Sequence, residues 1–94
     1  MAEARYCAEA ASQIIVRRLD DITLIYHRRS GQTHLVVSPV PEILAAFAPG
    51  EARSVGQIGA DLSLLYDLGD PTEAEAAIAT HLEELAALGL VHRI

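Results

Sequence analysis

Apolar residues recur with two different periods along the chain, two in the first half and close to 3.6 in the second. Ile14-Ile15-Val16-Arg17-Arg18-Leu19 is a β-branched run, Asp20-Asp21 interrupts it, and Ile22-Thr23-Leu24-Ile25-Tyr26-His27 is a second run. Two such runs around a two-residue polar break predict a β-hairpin. Strand side chains alternate between faces, so Ile22, Leu24 and Tyr26 share one face and Thr23, Ile25 and His27 the other. Arg28 to Gln32 makes the next turn, with Gly31 free to take a positive φ. Thr33-His34-Leu35-Val36-Val37 is then a third strand, with Thr33, Leu35 and Val37 on one face and His34 and Val36 on the other. The three strands form an antiparallel meander, and the last of them has an edge free to bind something.

Beyond Val37 the period lengthens. Ser38 reads as an N-cap and Pro39 as the first residue of a helix to about Ala48, with Ile43, Leu44 and Phe47 on one side. Pro49-Gly50 ends it. Ser54 and Gln57 have the spacing of a capping box, and Val55, Ile58, Leu62 and Leu65 give the second helix its stripe. Gly56 and Gly59 weaken that helix, which is therefore short or packed very closely on a neighbour. Leu68-Gly69-Asp70-Pro71-Thr72 is a break. A third helix starts near Thr72, runs through Ile78, Leu82, Leu85 and Leu88, and stops at Gly89 in the C′ position. Leu90 to Ile94 alternates as a short terminal strand. The predicted fold is α+β, a three-stranded antiparallel meander followed by a three-helix bundle of winged-helix-like form. Residues 13–94 make one domain, and residues 1–12, rich in Ala and Glu, fix no element.

Composition bounds what such a domain does. Ninety-four residues bury one modest core and leave function to the surface. No apolar run approaches a membrane span and no secretory signal opens the chain, so the expected compartment is the cytoplasm. Residues 1–40 carry five arginines against four carboxylates, whereas residues 41–94 carry two against nine, and there is no lysine. The third helix holds Glu73, Glu75, Glu83 and Glu84 with no Lys or Arg before Arg93, which argues against the recognition helix of a DNA-binding winged helix and against nucleic acid as a partner.

Catalytic and metal chemistry find little support. Cys7 is alone, so no internal disulfide forms. His27 and His34 sit on neighbouring strands as surface histidines, in no metal-ligand spacing, and neither a metal nor another cofactor is expected. Ser30 beside His34 superficially suggests a nucleophile and its base, but a turn serine ordinarily bonds local backbone. No catalytic residue is assigned.

Several short motifs occur together in order: the Asp20-Asp21 turn, Tyr26-His27, Ser30-Gly31-Gln32-Thr33-His34-Leu35, Ser38-Pro39, Ala45-Ala46-Phe47, and Leu85-Ala86-Ala87-Leu88-Gly89-Leu90-Val91. In that order they resemble the PqqD-like peptide chaperones over roughly residues 13–93, and more narrowly the branch associated with a kinase related to HPr kinase. The resemblance implies a recognition element for ribosomally made precursor peptides. In such domains a leader peptide docks as an added strand beside the third strand, in a groove walled by the third helix, and is presented to a modifying enzyme. Carried onto this chain, the peptide-binding residues are Thr33, His34, Leu35, Val36 and Val37 on the strand and Ile78, His81, Leu82 and Leu85 on the helix. Leucines at that spacing are more often plain core, and His81 is the helix residue expected at the surface. The implied partners are a precursor or leader peptide and an HPr-kinase-related or other modifying enzyme. A homodimer through the same strand edge is the alternative.

Overall fold

The computed structural model describes residues 4–48 and 50–94. The meander forms as expected: β2 (Ile14–Leu19), β3 (Ile22–His27) and β4 (Gln32–Val37) pair antiparallel in that order. Asp20 turns the first hairpin with φ 52°, a left-handed conformation that Asp tolerates better than most residues. The helices are α1 (Val40–Ala45), α2 (Val55–Ser63) and α3 (Pro71–Ala87). A second small sheet was not foreseen in the sequence. β1 (Arg5–Ala8) lies at its centre, between β5 (Arg53–Ser54) and the terminal strand β6 (Val91–Arg93). A one-turn 3-10 helix, Ala11–Gln13, joins β1 to the meander. The described part of the unassigned N-terminal segment, from residue 4 on, thus holds a strand and the start of a turn, and β1 owes its form to two partners distant in sequence.

One core serves both sheets. Tyr6 and Val91 from the small sheet, Ile25 from the meander, Ile43, Ile58 and Leu62 from α1 and α2, and Ile78, Leu82, Leu85 and Leu90 are buried together. The meander turns Thr23, Ile25 and His27 toward this core. Its other face is more apolar and lies open, with Leu19, Ile22, Leu35 and Val37 all exposed. Tyr6 is also anchored at its tip, where the hydroxyl donates to Glu83 Oε1 at 2.8 Å. Burial, followed by that carboxylate, raises the pKa of the phenol.

The helix ends show where local signals suffice. Ser54 accepts from the Gln57 N–H while Gln57 returns a bond to the Ser54 N–H, completing the capping box. Asp70 caps α3 through the N–H groups of Thr72 and Glu73. At α1 the expectation fails. The helix begins one residue late, so Pro39 occupies the cap position and the Ser38 hydroxyl donates to the Glu42 carboxylate instead. It also ends at Ala45, where Ala46 and Phe47 close back on Ile43 and Leu44 in tighter i→i+3 bonds. The expected stop at Pro49 lies outside the described residues.

Two glycines have opposite structural roles. α2 is short and also packs closely on α3, and a Cβ at Gly59 would meet Glu75 Cγ at 3.6 Å and Ile78 Cδ1 at 3.7 Å, ordinary contact distances. Gly59→Ala should therefore stabilise the chain by up to about 1 kcal/mol through helix propensity. Gly89 has φ +80° beyond the end of α3, and a Cβ there would sit 3.2 Å from His27 Cε1. Gly89→Ala should cost about 1 kcal/mol. Urea melts of the two variants read both signs, and a stabilised Gly89→Ala would show that the αL position is unstrained.

Candidate functional site

The hydrogen-bond parity of the meander follows from one bond. The Arg28 N–H donates to the Gln13 carbonyl at 2.8 Å, one step beyond the Ile14↔His27 pair of the ladder. Hydrogen-bonded pairs recur every second residue in an antiparallel ladder, so Ile15, Arg17 and Leu19 bond to β3. Ile14, Val16 and Arg18 then turn their backbone groups to the outer side of β2. On the far strand, β3 bonds through Thr23, Ile25 and His27 to Val36, His34 and Gln32. Thr33, Leu35 and Val37 accordingly offer their backbone to the free edge of β4. β2 and β4 are both edge strands.

At the predicted site, Thr33, Leu35 and Val37 project outward and are exposed, with Leu35 at 70%. His34 and Val36 turn inward and are half-buried, and Val36 packs against the core. His34 Nε2 is sealed from solvent without a hydrogen-bond partner among the described residues, as is Nδ1 of His81 on α3, which lies 3.9 Å from Glu84 Oε2. His81 remains partly exposed, as expected. Ile78, Leu82 and Leu85, expected as the ligand-contacting helix wall, are instead buried, because the apolar stripe of α3 closes the main core.

His27 needs correction. It is buried at 3% exposure and belongs to a polar cluster whose centre is Glu9. Glu9 accepts from His27 Nε2 at 2.8 Å, Arg29 Nε at 3.1 Å, His92 Nε2 at 3.1 Å and the Ala10 N–H at 3.1 Å. The His27 hydrogen bond is the largest cause of a Glu9 pKa lowered to about 2, reinforced by His92, Arg29 and the Ala10 amide against the opposing effect of burial. A carboxylate can only accept, so Nε2 of His27 carries its proton, and in the neutral ring Nδ1 accepts from the Ser30 hydroxyl at 2.9 Å. Ser30 thus pairs with His27 rather than with His34, and also accepts from the Gln32 N–H.

Hydroxyl, imidazole and carboxylate lie in series here, in the order of a nucleophile relay. Neither of the two cavities described below is lined by Ser30, His27 or Glu9. The adjacent Gly31 N–H is spent on the His27 carbonyl, so it offers no oxyanion donor. The cluster ties β1, the β3–β4 turn and β6 together. Glu9 stands 18 residues from His27 and 83 from His92, and no local motif in the sequence announces that connection.

An apolar groove lies elsewhere. A cavity of about 1060 Å³ opens between the inward face of β2 and the ends of α1 and α2, lined in part by Ile14, Val16, Ile25, Leu44, Leu65 and Tyr66. A smaller one of about 330 Å³ lies between α2 and the start of α3. None of the nine residues predicted for the peptide site lines either. Among the described residues no group of three or more His, Cys, Asp or Glu side chains could hold a metal ion, and no helix is long and apolar enough to cross a membrane.

The architecture is that of an α+β domain in which an antiparallel meander packs on three helices. Among solved structures the chain is similar to TbiB1 in complex with the TbiA(beta) leader peptide, with a TM-score of 0.69 over 89% of this chain and 94% of that one, at 17% sequence identity. No family model matches the sequence, and no curated protein does.

Proposed function

We propose that the chain is a non-catalytic peptide chaperone that takes the leader segment of a precursor peptide as an added strand along β4 and presents it to a modifying enzyme. The observation that carries this reading is the free edge of β4, with the backbone groups of Thr33, Leu35 and Val37 turned outward on a fold shared with a protein described in complex with a leader peptide. Backbone pairing along that edge supplies affinity, and alternate ligand side chains supply specificity. Leu35 and Val37 offer apolar neighbours on the outer face, while His34 and Val36 border the ligand from the inner side. His81 is the contact from α3, and Ile78, Leu82 and Leu85 serve by holding that helix in place. The carboxylates exposed on α3 favour a ligand that carries basic residues.

The enzyme served is, by the sequence resemblance, one related to HPr kinase, and the compartment is the cytoplasm. The experiment is an amide NMR titration of the labelled chain with short peptides encoded beside its gene. Saturable shifts should appear at Thr33 to Val37 and at His81. Absence of shifts there with every peptide would remove the chaperone reading.

A further inference from the structure

The second free edge is that of β2, and it has an apolar groove beside it. The Ile14 N–H is spent on the Ala11 carbonyl, which leaves the N–H groups of Val16 and Arg18 and the carbonyls of Ile14, Val16 and Arg18 facing outward without a strand partner among the described residues. Unpaired edges of this kind accept another strand. Beside them lies the groove of about 1060 Å³, and its rim holds large apolar side chains left in solvent: Val16 is 54% exposed, Leu64 83%, Leu65 75% and Tyr66 49%. A cluster of that size marks an interaction surface.

We propose that a second copy of this chain covers it, with β2 pairing antiparallel to the partner's β2 about a two-fold axis at Val16. The sequence of β2 is compatible with that register. With Val16 on the axis, the outward-facing groups meet in hydrogen-bonded pairs: Val16 bonds reciprocally with its twin, and each Arg18 N–H meets the partner's Ile14 carbonyl. Arg17 then lies opposite the partner's Ile15, so no like charges face each other. A shift that puts Arg17 on the axis sets two guanidinium groups opposite one another, which is destabilising. The inward side chains of the incoming strand continue the sheet toward the groove and the end of α2, so one occupant covers both the backbone edge and the apolar rim.

A six-residue strand edge is small beside the roughly 800 Å² per partner of a standard interface, so the apolar rim is needed to complete the contact. The two meanders join into one six-stranded sheet whose outer edges are the two β4 strands, so dimerisation leaves the β4 edges open.

Sedimentation equilibrium of the 94-residue chain from about 10 to about 500 µM reads the association directly. The mass should rise from 10.1 kDa toward twice that value. Hydrogen exchange at the Val16 and Arg18 amides should slow with concentration, and exchange at Leu35 and Val37 should not. Val16→Lys places like charges on the axis at an exposed position and should weaken the dimer at least tenfold, with an unchanged circular dichroism spectrum. A monomer up to 500 µM, concentration-dependent protection at β4, or an unaltered dimer in Val16→Lys would each overturn the proposal. Peptide binding at β4 is read separately, by titration of the monomeric Val16→Lys variant, so either conclusion can fail without the other.

Discussion

Leu35→Pro should leave the domain folded and weaken peptide binding at least tenfold, whereas Val36→Pro, one residue along, should destabilise it severely. The contrast follows from strand parity. Val36 lies opposite Thr23 and exchanges backbone bonds with it, so proline there removes a donor from the β3–β4 ladder beside the core. Leaving the opposing carbonyl unpaired costs on the order of 1–3 kcal/mol, and the ring's misfit in the ladder adds to it, a large share of the stability of a domain this size. Leu35 turns its N–H to the open edge, and its side chain is already in solvent. Proline is tolerated at such an edge position, and what it removes is one of the donors an added strand would use. Thermal melts should show a near-native transition for Leu35→Pro, and titration should show affinity falling at least tenfold. If Val36→Pro melts normally, the parity assigned to β4 is wrong. If Leu35→Pro folds and still binds, the ligand does not pair with this edge.

The second large effect is expected in acid. The folded-state pKa of Glu9 is about 2, below its unfolded value of 4.5, so the unfolded chain takes up the proton first as pH falls. The stability this carboxylate contributes is fully present above pH 4.5 and is lost as pH drops toward 2. One pKa unit corresponds to about 1.4 kcal/mol. Arg29 and His92 are largely exposed and screened by solvent, so the expected contribution is discounted to about 2 kcal/mol. Glu9→Gln should cost about that much at pH 7 and flatten the stability profile between pH 2 and 4.5. Denaturant melts across that window test it, and a variant that keeps the wild-type acid slope would show that other carboxylates set it. The same substitution loosens the contact between β1, the β3–β4 turn and β6, so hydrogen exchange should rise at Ala10 and Gly31.

The difference between what the sequence predicted and what it missed is one of range. β2 was legible to the residue because a six-residue β-branched run needs only its neighbours to become a strand, and Ser54 with Gln57 was legible because a capping box is complete within four positions. β1 and β5 were not legible. Arg5–Ala8 and Arg53–Ser54 are too short to alternate convincingly and become strands only where the chain returns to meet them. The sequence placed the third strand at an edge of the meander, where the structure has it, with Thr33, Leu35 and Val37 exposed and His34 and Val36 half-buried. The helix wall fared differently because one apolar stripe fits either a groove or a core, and α3 uses its stripe to close the core. His27 was misread for a related reason. Its partner Glu9 lies in a segment without periodicity, and the two meet only where the end of β1 packs against β3 of the other sheet.

The open face of the meander also governs how the protein behaves in bulk solution. Its apolar side chains carry no charge of their own, and colloidal repulsion between molecules depends on the net charge of −6 at pH 7, most of it on the helical half. That repulsion vanishes near the isoelectric point of about 5.0, where Glu9 is still ionised and its cluster intact. Turbidity at pH 5 should therefore consist of native molecules that redissolve when the buffer is returned to neutrality, and a clouded sample would signal lost dispersion rather than lost structure.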